Sequence, residues 1–212
     1  MRGLTRGPFP GSGARRYDGR MESTSRDDIL EGLNVFRALE SWGAQLYAAW
    51  AEHESDPHLR AGHLIIAERE ANHARLLAER LRALGAQPGP ACVDQVLAEQ
   101  LAELRDVRGF VAQLDALKKA NERDRERMAG CRAALDRGFA AAEASDAETH
   151  RFWAQLYSEE RVSGGWYRST YSELSGKRPR SEVLPVLGPD QVVRRARSAA
   201  PAGEPVACDA TA

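Results

Sequence analysis

The chain has 212 residues, 42% hydrophobic and 29% charged, which suits one folded domain flanked by tails. Its formal net charge of −1 provides no global field for nucleic acid or an anionic membrane, so neither is an expected partner. No apolar run approaches the roughly 20 residues of a membrane span, and the basic N-terminus lacks the apolar core of a secretory signal.

Residues 1–26 are rich in Gly, Arg and Ser and read as a disordered tail, with Met21 as an alternative start. A first long helix is predicted over 27–54, with Ser25 and Asp28 spaced as a capping box. Ser55-Asp56-Pro57 then reads as an N-cap followed by proline in the first turn. The second long helix follows, over 57–84, and Gly85 closes it. A short helix over 93–104 occupies the connection to a third long helix, which begins near Asp106. Gly138 ends that helix, or it continues towards Ala144. Ser145 and Glu148 form another capping-box pattern, so a fourth long helix is predicted over 146–174. Residues 176–212, rich in Pro, Gly, Arg and Ala, read as a second disordered tail, within which "EVLPVLGPDQVV" has the look of a short docking segment. The result is an all-α chain, with 27–175 as one bundle. Short links make the first and second helices, and the third and fourth, antiparallel neighbours; the longer link between the pairs allows a crossover.

Cys92, Cys131 and Cys208 are odd in number and form no CxxC pair. They suggest neither a disulfide framework nor a zinc site, and a cytoplasmic location is expected.

Tracing residues three and four apart gives each long helix one inward stripe. The first carries Leu33, Phe36, Glu40, Gly43, Tyr47 and Trp50; the second His63, Ile66, Glu70, His73 and Leu77. The third carries Phe110, Leu114, Asn121, Asp124, Met128 and Cys131; the fourth Trp153, Leu156, Glu160, Ser163 and Tyr167. Each stripe is apolar at its ends and polar in its middle. A buried carboxylate must be neutralised, paired or bound to a metal. Carboxylates on four core stripes, with one imidazole, suit iron, manganese or zinc. Glu40, Glu70, His73, Asp124 and Glu160 are therefore the candidate metal ligands, and Tyr47 the candidate catalytic residue, able to bond a ligand carboxylate or supply an electron. A lone ExxH arises easily in a helix this rich in charge, and a one-residue shift in register exchanges Glu160 for Glu159. His63 reads as a packed histidine, and His53, His58 and His150 as solvated ones.

Two motifs carry a family resemblance. "ESWGAQLY", residues 40–47, resembles the first-helix motif of rubrerythrin-type ferritin-like proteins, in which a ligand glutamate precedes a tyrosine by seven residues. "AEREANHARLLAERL", residues 67–81, resembles the second-helix motif around that family's ExxH. The resemblance implies a ferritin-like four-helix bundle with a long crossover between its second and third helices. It also implies two iron or manganese ions held by glutamates and two ExxH motifs, acting in peroxide reduction or ferrous iron oxidation. Glu40, Glu70 and His73 supply one half-site. The other half departs from the pattern. The third helix offers Asn121 and Asp124, with Glu122 as a substitute, and Ser163 stands where the second histidine belongs. The family's rubredoxin-like module, with its CxxC pairs, is absent from this sequence.

The expected function is that of an iron- or manganese-dependent oxidoreductase binding one or two ions, served by an external electron donor and assembled as a homodimer. A non-catalytic adaptor or assembly protein on the same scaffold, with a vestigial metal site, is one alternative. A hydroxylase of a small molecule, opened by Gly43 and Ser163-Gly164-Gly165, is another.

Overall fold

The computed structural model describes residues 19–176, with side chains from residue 25. Six helices account for nearly all of it: α1 Gly19–His53, α2 Pro57–Ala83, α3 Asp94–Leu104, α4 Phe110–Arg123, α5 Ala129–Ser145 and α6 Ala147–Leu174. No strand occurs among the described residues. No helix among them is long and apolar enough to cross a membrane.

The helix punctuation follows local chemistry. The Asp56 carboxylate accepts from the His58 and Leu59 backbone N–H groups, and Pro57 occupies the first turn of α2. At the other end, Gly85 takes φ +78°. Its N–H bonds to the Arg82 carbonyl and that of Ala86 to the Leu81 carbonyl, a Schellman closure. The cap of α6 is Asp146, which accepts from the Thr149 N–H, rather than the Ser145 of the expected capping box. Ser145 instead ends α5, its hydroxyl donating to the Ala141 carbonyl.

Three boundaries differ from expectation. Helix α1 begins at Gly19 and runs through the anticipated cap at Ser25, so part of the predicted N-terminal tail is helical. Residues 1–18 and 177–212, including the proposed docking segment, lie outside the described residues. The third long helix is two helices, α4 and α5, separated by a turn over 124–128. At this turn the Asp124 side chain is fixed by three donors: Gln100 of α3, Arg123 and Arg127. Gly138 does not stop α5. A Cβ there would lie 2.7 Å from the Asp28 carbonyl oxygen and 3.0 Å from the Gly32 Cα, so glycine is needed for α1 and α5 to cross closely.

Helix α1 packs along both α2 and α5, while α6 meets α5, α4 and α2. Glu40 meets His73, and Trp50, further along α1, meets the earlier His63, so α1 and α2 run antiparallel. Arg80, near the end of α2, ties down the start of α6. Its guanidinium bonds Thr149 and pairs with Asp146 and Glu148. One apolar cluster packs Leu33 and Phe36 against Leu77, Trp153 and Leu156. Another, further along α1, groups Leu59, Ile66, Phe110, Trp166 and Tyr167, with Tyr47 against them. The polar middle of the stripes lies between them.

The cysteines correct the reading by count. Cys92, just before α3, and Cys131, near the start of α5, form a disulfide with Cα atoms 6.0 Å apart, a normal separation for the bond. An odd total does not exclude one pair, and the cysteines therefore lend no support to a cytoplasmic location.

Candidate metal centre

Three helices bring five ionisable side chains together: Glu40 from α1, Glu70 and His73 from α2, and Glu159 and Glu160 from α6. Glu40, Glu70 and His73 are buried, and the two α6 glutamates are half-buried. The imidazole of His73 is the hub. Its Nδ1 lies 3.0 Å from Glu40 Oε2 and 3.2 Å from Glu160 Oε1, and its Nε2 lies 3.0 Å from Glu159 Oε2. The open choice of register on α6 thus resolves: Glu159 and Glu160 both face the histidine, at different ring nitrogens. Adjacent helical residues achieve this because the ring lies between their two directions.

Ligand atoms of Glu40, His73 and Glu160 fall within 4.8 Å of one another. Glu160 Oε1 is buried with no hydrogen-bond partner, because its contact with Nδ1 is close but poorly aligned. An orphaned carboxylate oxygen beside a second carboxylate and an imidazole nitrogen is the donor set that a borderline divalent cation takes. In that arrangement Glu159 would hold Nε2–H and fix the ring, as carboxylates do for metal-bound histidines.

The electrostatics fit a site short of positive charge. Burial, then the charges of Glu40 and Glu160, push the Glu70 carboxyl up to about 10, so it is neutral at pH 7. Burial also raises Glu40. His73 is buried, which disfavours its charged form, yet the nearby Glu160 carboxylate and the Glu40 and Glu159 carboxylates that accept from its ring carry it up to about 10. The imidazolium therefore acts as the cation of this cluster. Gly43 leaves room for Glu70: a Cβ there would lie 2.9 Å from Glu70 Oε2. Burial and the carboxylates of Glu70, Glu160 and Glu40 raise the Tyr47 phenol, which places it beside the cluster and keeps it protonated.

Asp124 does not join the site and is a correction to the candidate ligand set. It is buried, as its stripe position implies, but Gln100 and Arg123 donate to its Oδ2 at 2.9 and 2.8 Å, and Arg127 to its Oδ1 at 3.1 Å. Arg123, with Gln100 and Arg127, holds it well below the usual carboxylate range. Asn121 and Glu122 are exposed. Ser163 is buried in the expected position on α6, where it accepts from Arg69 Nη1 at 2.6 Å. Sequence reasoning overlooked Arg69, although its place next to Glu70 and the missing histidine at 163 together left room for a cation from α2. His63 is packed as expected, while His150 rests against Phe139, ring centroids 4.8 Å apart, rather than being simply solvated.

Comparison with family models, with curated proteins and with solved structures returns no match.

Proposed function

We propose that this chain is a ferritin-like metal-binding protein that holds a single redox-active divalent ion, iron or manganese, through Glu40, His73 and Glu160. The observation that carries the reading is the buried Glu160 Oε1, which has no hydrogen-bond partner and faces His73 Nδ1 beside Glu40. The packing of α1, α2, α5 and α6 supports the bundle, with α4 and α5 replacing one long third helix. One ion is favoured over two because Asp124 is neutralised elsewhere and Ser163 is bonded to Arg69, which leaves the far half of the site without an imidazole.

A redox ion in this position supplies one-electron chemistry for ferrous iron oxidation or peroxide reduction. The chain's own groups do the rest. Glu159 orients the His73 ring through Nε2. Glu70, neutral beside Glu40, becomes a further oxygen donor once its proton leaves. Tyr47 stands next to the carboxylates as a protonated phenol.

The test is metal analysis of the full chain purified from iron- and manganese-supplemented medium. About one equivalent of metal per chain is expected for the wild type, and background levels for Glu40→Ala with His73→Ala. Equal content in the two proteins would defeat the reading.

One observation favours an adaptor or assembly protein instead. His73 already bonds carboxylates through both ring nitrogens, so the polar layer also works as a hydrogen-bond network that sets helix register. If metal-loaded protein melts at the same temperature with and without excess chelator, that reading gains.

A further inference from the structure

Packed against Tyr47 lies a second set of buried groups. Tyr167 of α6 packs its ring 5.1 Å from that of Tyr47, centroid to centroid. Its phenolic oxygen lies 3.0 Å from His63 Nδ1, and the imidazole is wholly buried. Rings of Trp50, Phe110 and Trp166 surround His63 at 5.5–6.0 Å. Gln113 is another polar neighbour of the ring, and His63 Nε2 and Gln113 Oε1 are each buried without a hydrogen-bond partner. A tyrosine hydroxyl donates readily, so Nδ1 is assigned as acceptor, with the proton of the neutral ring on Nε2.

We infer that Tyr167 is a redox-active tyrosine whose oxidation is coupled to proton transfer to His63, and that it relays electrons through Tyr47 to the carboxylate–histidine site. The destination of the electron rests on the metal reading above; the Tyr167–His63 pair does not.

The chemistry follows from the dryness of the pocket. Removing an electron from a phenol leaves a cation far more acidic than an imidazolium, even one that burial has made more acidic. The proton must therefore leave with the electron, and the base in reach is Nδ1 of His63. Burial pulls the His63 imidazole down to about 4, so at pH 7 it is neutral and Nδ1 can accept. In the forward step the Tyr167 O–H bond breaks, the electron crosses the ring of Tyr47, which stays a protonated phenol, to the oxidised carboxylate–histidine site, and the proton bonds to Nδ1. A neutral tyrosyl radical and an imidazolium result. An external one-electron donor then reduces the radical while the proton returns to the phenolic oxygen. Tyr171, half-buried one helical turn along α6 and packed on the same cluster, leads from Tyr167 towards the surface. Hydrogen peroxide at the carboxylate–histidine site is the final acceptor. It takes two electrons and two protons to form two waters, so the relay turns over twice per peroxide, and the protons come from solvent.

The test uses the full chain in two forms. Metal-free protein is oxidised by flash-generated ruthenium(III) polypyridyl and followed by electron paramagnetic resonance with deuterated tyrosine. A neutral tyrosyl radical is expected, lost in Tyr167→Phe and formed about a hundredfold more slowly in His63→Gln. Incorporation of 2,3-difluorotyrosine at position 167 keeps the packing and should shift the spectrum, so loss through misfolding is distinguished from loss of the radical site. A radical of equal yield in Tyr167→Phe, or an unchanged rate in His63→Gln, overturns the inference. In the second form, iron-loaded protein meets hydrogen peroxide. The same radical should appear in the wild type and be lost in Tyr47→Phe, whereas that variant should leave the metal-free result unchanged. A radical in metal-free protein that takes up no iron sustains the pair and defeats the metal reading. Iron uptake with no radical in either form does the reverse.

Discussion

Glu40 and Asp124 are equally hidden from water, and they resolve their charge in opposite ways. Asp124 is surrounded by donors from its own chain: Gln100 across from α3, and Arg123 and Arg127 from its own turn. Those arginines are anchored in turn by Glu103 and Glu99. Glu40 shares a single imidazole with Glu159 and Glu160, and has Glu70 beside it. One cluster is a closed structural joint. The other has more acid than base, and a cation from solution would complete it. A buried carboxylate points to function only where the fold fails to supply its counter-charge.

The sharpest way to break this comparison is to remove the hub. His73→Ala should empty the site of metal and destabilise the protein by about 3 kcal/mol, because three carboxylates then face one another without their shared cation. Metal analysis and urea unfolding at pH 7 measure both.

A third buried group tests how far the apolar side differs from both clusters. His63 has no counter-charge, and burial holds its pKa near 4 in the fold against the ordinary value of 6.5. Below pH 6.5 the unfolded chain therefore binds more protons than the native state. The contribution of the neutral ring is complete above pH 6.5 and falls away as the pH drops to 4. The loss should be about 3 kcal/mol, and it should be missing from the pH–stability profile of His63→Phe.

Asp124→Asn probes the closed joint. It removes the charge from three donors and should cost about 2 kcal/mol in chemical unfolding while leaving metal content unchanged. A loss of metal in that variant would place Asp124 back among the ligands. The smallest change is Gly43→Ala. Its new Cβ meets the mobile end of Glu70, so stability should fall by less than about 1 kcal/mol. Metal affinity, read by titration, should weaken by roughly threefold as that carboxylate is displaced.

Much of the fold was legible in the sequence. Asp56 with Pro57, and Gly85, mark helix ends through side-chain and backbone chemistry that acts within one turn. The stripes through Leu33, Phe36, Ile66 and Trp153 were equally plain, because a helix repeats its inward face every three to four residues. Glu40, Glu70 and His73 followed from the same periodicity. Glu159 and Glu160 were ambiguous because neighbouring helical residues point about 100° apart and these two flank the inward direction, one at each ring nitrogen of His73. Asp124 misled because the stripe reports burial and says nothing about partners.

The sequence by itself determined that the chain is helical, where most helices start and stop, and which polar residues turn inward. These depend on interactions between residues a few positions apart. The tertiary structure alone decided that the third helix breaks at Asp124, that Cys92 bonds Cys131, that Arg69 answers Ser163, and that His63 meets Tyr167. The last three join residues 39 to 104 positions apart, and the Asp124 turn needs Gln100, 24 positions away, beside its local arginines. Such contacts depend on the depth and rotation at which whole helices pack, which no local pattern encodes.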